Sequence, residues 1–206
     1  TSPQSKLQVA GGIQMADDTA TASAAKVGTM RYRTGTEYVE VDGEELVTNG
    51  SFDTDLTDWT NSSSYPWASA TWTSSGVSLQ TSGVAQYKSF YQDIGPITSG
   101  KKYKISYSAV KTSGTMRVGI ETSPVGSSVG YQKALTSSEV VSEVFTATTT
   151  DTTCVISFWA QNDSSTNEWV IDNVSLIEVT AEDASYADMC MQTGASTYEW
   201  VNIVRN

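Results

Sequence analysis

The chain of 206 residues contains no histidine and only two cysteines. Without histidine, the usual zinc sets and Ser-His-Asp or Cys-His catalysis are excluded. Cys154 and Cys190 sit in segments of different character with no paired spacing, so two buried thiols are the first reading and a disulfide the second. Basic residues are also scarce, 12 Lys and Arg against 23 Asp and Glu, for a net charge of −11. Proteins that grip a phosphate backbone cluster Lys and Arg against it, so no nucleic acid partner is expected. The same surface would be repelled by anionic lipid. No apolar run approaches the roughly 20 residues that span a bilayer, so no membrane insertion is expected. The N-terminus, Thr1 to Lys6, lacks the basic and apolar regions of a secretory signal. Thr1 is small enough to follow a removed initiator Met, and a complete short gene product is the expectation. The glycine-rich tracts lack the lysine of a phosphate loop, which removes support for nucleotide binding.

What is present favours strands. Hydrophobic residues at 38% supply a core, and a charged fraction of 17% is too low for an acidic disordered chain. Thr and Ser abound, and β-branched and aromatic side chains suit a pleated surface. From Leu46 onward, short runs of alternating hydrophobicity are separated by Gly, Ser, Asn and Asp clusters, the pattern of a sandwich or barrel. In Lys101–Val110, Tyr103, Ile105, Tyr107 and Ala109 share one face, and Lys102, Lys104, Ser106 and Ser108 share the other. Comparable strands are read at 70–73, 76–80, 86–94, 115–120, 138–147, 153–161 and 168–179. With a first strand at Leu46, they predict an all-β, two-sheet jelly roll.

The chain ends read differently. Residues 7–33 hold Gly11-Gly12, an Ala/Thr-rich tract over 16–25 and a short strand at Val27–Arg33. Residues 186–204 read as two strands joined around Thr193–Ser196. A lone hairpin is marginal in water, so these ends must pack on each other, on the sandwich or on other subunits. Three segments follow: an N-terminal arm and half-platform at 1–44, the jelly roll at 45–179, and the second half of a small flanking β platform at 180–206.

Two resemblances attach to these segments. Glu45-Leu-Val-Thr-Asn-Gly-Ser-Phe-Asp53 with Leu56-Thr-Asp-Trp59, and Glu168-Trp-Val-Ile-Asp-Asn-Val-Ser-Leu176, resemble the opening and closing patterns of carbohydrate-binding modules of the family 4/9 type. Tyr91-Gln-Asp-Ile-Gly95, Gly100 to Tyr107 and Phe145-Thr-Ala-Thr148 fit that family's inner strands. The ends resemble a segment of marine bacteriophage fibre or appendage proteins. There the matching residues are Gly12 to Ala24 with Val27-Gly-Thr-Met-Arg-Tyr-Arg33, and Tyr186 to Val201. In such proteins the two blocks look nearly continuous, which implies a sandwich inserted into the platform, with 38–41 and 177–179 paired at the junction. Insertion is reasonable where domain termini lie close together at the surface.

The family 4/9 resemblance gives Trp59 and Trp169 a core role. It also implies a structural calcium ion between Asp53 and Asp172, whose oxygens from distant segments suit that hard cation. The plainer alternative is a turn residue and a surface acid. Sugar binding needs aromatic rings flanked by amides and hydroxyls. The candidates are Trp159 and Gln161, with Tyr65, Trp67, Trp72, Tyr87 and Tyr91. On its strand, Trp159 shares a face with Val155, Ser157 and Gln161, opposite Cys154, Ile156 and Phe158. Whether that face meets ligand or a second core stays open. Carboxylate pairs such as Glu121 with Glu143 are cheap in so acidic a chain, and the resemblance is to a noncatalytic module. Asp53, Asp55 and Asp58 lack the Gly and Glu of an EF-hand loop.

Together these readings predict a noncatalytic virion structural protein, located on the particle surface, capsid or tail. It would contact other virion proteins, assemble as a homotrimer, and display the sandwich toward host cell-surface glycan. The alternatives are a capsid decoration or tail component without glycan binding, and a stand-alone accessory module of a carbohydrate-active enzyme.

Overall fold

A computed structural model describes residues 14–15, 17–63, 67–81, 87–160 and 166–205, without the side chains of 42–44, 204 and 205. Its contacts divide the chain into two units, Val39–Thr180 and the combined ends Thr1–Tyr38 with Ala181–Asn206. The strands are β1 (Met30–Glu45), β2 (Thr60–Asn61), β3 (Ser69–Thr73), β4 (Gly76–Gln80), β5 (Ser89–Ile97), β6 (Lys102–Ser113), β7 (Met116–Glu121), β8 (Ser128–Leu135), β9 (Glu139–Thr146), β10 (Asp151–Ala160), β11 (Glu168–Gln192) and β12 (Tyr198–Arg205). A single 3-10 turn, Ala24–Lys26, is the helical element among the described residues. The chain is all-β.

The Val39–Thr180 unit is a sandwich. One sheet has the order β3-β4-β11-β6-β9, and the other β2-β5-β10-β7-β8. Alternation along β6 places Tyr103, Ile105, Tyr107 and Ala109 in the core, as the sequence predicts. From the facing sheet, β10 contributes Cys154, Ile156, Phe158 and Ala160. Trp59 stacks on Phe90 with centroids 5.2 Å apart, and Trp169 is fully buried, so both tryptophans pack the core. Such rings dominate core energetics because each buries a large apolar area.

The two ends of this unit are clasped by Glu45. Its carboxylate accepts the backbone N–H groups of Val47 and Leu176, both at 2.9 Å, and the Ser175 hydroxyl at 2.6 Å. Leu46 itself lies outside the strands, and its N–H donates to Leu176 O at 2.9 Å. The sandwich edge between β8 and β9 is closed by Lys133, which pairs with Glu139 at 2.9 Å and Glu143 at 2.6 Å. Beside it Tyr107 and Tyr131 share a hydrogen bond, and burial pushes the Tyr107 phenol up to about 12.

Several elements depart from the sequence reading, among them β1, a single strand over Met30–Glu45 where the pattern predicts short strands at 27–33 and 38–41 and a first sandwich strand at Leu46. β8 escaped it because Lys133 occupies the core-facing position between Tyr131 and Leu135, interrupting the apolar alternation. β11 continues through Thr180–Ser185, a polar and largely exposed stretch with no strand pattern of its own.

The second unit joins the first part of β1, the last part of β11 and β12. A tight connection, with Thr193 N–H donating to Thr197 O, closes the hairpin where the sequence places it. On one face Asp188, 1% exposed, accepts Arg31 Nε at 3.0 Å, Arg33 Nε at 2.7 Å and Asn202 Nδ2 at 3.2 Å. Arg31 covers the Trp200 ring and Arg33 the Tyr186 ring. The preceding segment crosses this face through bonds from Arg31 Nη1 to Asp18 O and from Trp200 Nε1 to Ala20 O. Cys190 is buried here and Cys154 in the sandwich core, and both thiols are free.

Candidate functional site

Because Cys154, Ile156 and Phe158 point into the core, Val155, Ser157 and Trp159 project from the opposite face of β10. Antiparallel register fixes their neighbours. Trp159 lies between Ser89 of β5 and Arg117 of β7, Ser157 between Tyr91 and Gly119, and Val155 between Asp93 and Glu121. Residues directly opposite share a face, so three cross-strand rows line this side of the five-stranded sheet.

The floor of this face lies below the surface. Ser89, Ser157 and Glu121 are fully buried, and Trp159 is 7% exposed. The Glu121 carboxylate folds back over Gly119, where a Cβ would meet its Oε1 at 2.7 Å. It accepts the Ser157 hydroxyl at 2.6 Å, Trp159 Nε1 at 3.2 Å, Gln132 Nε2 at 3.1 Å and the Val125 N–H at 3.1 Å. Burial raises the Glu121 carboxyl, and these hydrogen bonds oppose that rise without cancelling it. Gln132 also accepts Arg117 Nη1 at 3.1 Å, linking the guanidinium to the buried acid.

Above the floor, Trp159 has Arg117 over its ring at 5.6 Å and Tyr87 tilted against it with centroids 6.0 Å apart. Tyr87 is 43% exposed and adopts φ of 51°, a left-handed conformation that a bulky side chain occupies only when its surroundings hold it there. Two donors remain unanswered in the Trp159 row: Ser89 Oγ and Arg117 Nε are buried without a hydrogen-bond partner among the described residues. Buried polar groups are nearly always satisfied, and of the three exceptions among the described residues two flank Trp159 while the third, Trp169 Nε1, lies in the core.

The structure brings Trp159, Tyr87 and Tyr91 to this face and separates the other candidates from it. Trp67 is a core residue, 1% exposed, with Nε1 donating to Phe158 O at 3.1 Å, which withdraws its ring from any solvent-borne ligand. Trp72 sits on β3 of the other sheet and donates to Phe52 O at 2.6 Å. Gln161 and Tyr65 lie outside the described residues. Ser89, Arg117, Glu121 and Gln132 were absent from the sequence candidates for sugar contact. Only the cross-strand register, which no local pattern reveals, puts them beside Trp159.

Asp53 accepts the Ser51 hydroxyl, whereas Asp172 accepts the backbone and side-chain N–H groups of Asn173. Among the described residues no group of three or more Cys, Asp or Glu side chains gathers to hold a metal ion. Glu121 and Glu143 do not form a facing pair: one is buried on this face, and the other is bound to Lys133 at the sandwich edge. A cavity of about 300 Å³ lies elsewhere, lined by Val41, Leu46, Pro96, Thr98, Lys101, Tyr103 and Glu178. Lys101 and Glu178 of its lining form an ion pair at 2.8 Å, and Tyr103, its one aromatic, is 3% exposed.

The sandwich is shared with carbohydrate-binding modules. A structure described as "CBM4 structure and function" is similar over 64% of this chain and 99% of its own, with a TM-score of 0.54 and 16% identity. The likeness is one of fold. The second N-terminal cellulose-binding domain of Cellulomonas fimi β-1,4-glucanase C is similar over 68% of this chain and 98% of its own, with a TM-score of 0.48 and 17% identity. The enzymatically active domain of bacteriophage CBA120 tailspike protein 4 is similar over 66% of this chain and 21% of its own, with a TM-score of 0.44 and 16% identity. No family model and no curated protein matches the sequence.

Proposed function

We propose that the Val39–Thr180 sandwich is a noncatalytic carbohydrate-binding domain whose ligand lies on the outer face of the five-stranded sheet. One observation carries this reading: the row Ser89–Trp159–Arg117 combines two unanswered buried donors with an aromatic floor and the exposed ring of Tyr87. A pyranose presents both a C–H face and a hydroxyl edge, and that combination answers both. The fold supports the assignment as an analogy. The noncatalytic reading rests on Glu121, whose carboxylate is occupied by four donors, and on Glu143, held by Lys133.

The wider role is a virion surface protein in which the combined chain ends attach to other virion proteins, form a homotrimer, and present the sandwich to host-surface glycan. Support comes from the fibre-like blocks at Gly12–Ala24, Val27–Arg33 and Tyr186–Val201. A calcium ion at Asp53 and Asp172 belongs to the same proposal. The test is a glycan array probed with the purified chain and with Tyr87→Ala. Signals lost in the variant support the site, and an array without hits removes the adhesive role and leaves a purely structural component. Incorporation of the chain into purified particles tests the virion assignment separately.

A further inference from the structure

The outer face of the five-stranded sheet carries a cation, Arg117, without an ion-pair partner among the described residues. Arg31 and Arg33, the other arginines with described side chains, both bind the Asp188 carboxylate. Arg117 makes no ion pair among the described residues, in a chain with 23 acidic residues against 12 basic ones. Its Nη1 is occupied by the neutral Gln132 amide, while Nε is buried without a partner. The nearest acids by register, Glu121 and Asp93, lie in the row of Val155, four residues along β10 from Trp159. At strand rise that is about 13 Å of backbone, although the Glu121 carboxylate folds back to Trp159 and Gln132. Glu121 reaches Arg117 only through Gln132.

The geometry points to an acidic saccharide, specifically a uronic acid residue, as the ligand of this face; this inference rests on the sugar-binding reading above. The unanswered edge of the guanidinium, Nε with Nη2, is the side of the fork that takes a planar carboxylate through two parallel N–H···O bonds. A uronate carboxylate there would supply the missing acceptor for Nε and the missing counter-charge together. The Ser89 hydroxyl, opposite Arg117 across Trp159, would meet a ring hydroxyl, and Tyr87 would cover the sugar's C–H face. A neutral glycan leaves Arg117 uncompensated. A lone stack of Arg117 on Trp159 would need no ligand at all, and the experiment separates these cases.

The full chain is titrated by calorimetry with tri-galacturonate, with its methyl ester, with a neutral cello-oligosaccharide and with a sulfated galactan oligosaccharide, in parallel with Arg117→Gln and Tyr87→Ala. Near-UV circular dichroism confirms that each variant keeps its tertiary packing. The expected result is binding of the uronate that weakens at least about tenfold on esterification, weakens similarly in Arg117→Gln, and falls with added salt, as an ion pair partly open to solvent requires. Equal binding of ester and acid, indifference to Arg117→Gln, or preference for the sulfated ligand would overturn the uronate inference. If Tyr87→Ala still abolishes binding in those cases, the sugar-binding reading survives. Binding unaffected by both variants, or absent for every ligand, would overturn both.

Discussion

The indole N–H of Trp159 donates to the buried carboxylate of Glu121 at 3.2 Å, fixing the aromatic floor of the outer face to the end of the neighbouring strand β7. The acid is thereby a positioning group for the ring. Glu121→Gln replaces one acceptor oxygen with a donor in a pocket whose partners all donate, so a loss of about 1–3 kcal/mol in unfolding free energy is expected. Urea denaturation measures it, and an unchanged midpoint would show that the network contributes nothing to stability.

Two acids should give opposite pH trends. Burial raises the Glu121 carboxyl, so its contribution is complete below the unfolded value near 4.3 and is lost as pH rises through the folded one. Burial also acts upward on Asp188, but hydrogen bonds from Arg33, Asn202 and Arg31 with the Arg33 charge outweigh it and hold that carboxyl low. Its contribution is present above the unfolded value near 3.9 and is lost as pH falls through the folded one. Hydrogen exchange around residues 186–192 should therefore accelerate in acid, and Asp188→Asn should flatten that response.

Floor and rim should separate in mutagenesis. Trp159→Ala removes a buried ring with three neighbours and is expected to cost about 3–5 kcal/mol. Tyr87→Ala removes a ring that is 43% exposed and leaves the left-handed backbone, which alanine tolerates no better, so stability should stay within about 1 kcal/mol while glycan binding falls. Thermal melts paired with binding isotherms distinguish the two effects.

Calcium at Asp53 and Asp172 predicts a melting temperature that rises with millimolar calcium and returns with chelator. The rise should disappear in the double variant Asp53→Ala, Asp172→Ala. Equal melting in calcium and chelator would remove the ion from the proposal.

A homotrimer predicts three times the chain mass by light scattering. A monodisperse monomer across a wide concentration range would count against assembly through the chain ends.

The sequence disclosed what alternation can disclose. Tyr103, Ile105, Tyr107 and Ala109 declared the core face of β6 because every second residue is apolar. Ile156 and Phe158 likewise showed that Trp159 must point the other way. Lys133 hid β8 because an ion pair at the sandwich edge tolerates a lysine where the pattern asks for an apolar side chain. Trp67 stands among the sugar candidates because its residue type suits a core and a sugar platform equally; its burial and its bond to Phe158 O place it inside. Ser89, Arg117 and Gln132 meet Trp159 and Glu121 across strand pairings, and such pairings are written in register, not in local periodicity.

The Val39–Thr180 unit enters and leaves its fold at one spot, where β1 pairs with β11 and the Thr180 hydroxyl donates to Val39 O at 3.5 Å. A domain with adjoining ends behaves as a cassette. It can be exchanged by recombination for another with the same footprint, without altering the residues on either side. Replacing 39–180 by a short Gly-Ser bridge adds only a small loop-closure penalty, because that penalty grows slowly with length. The insert and the flanking sequence can then diverge at separate rates.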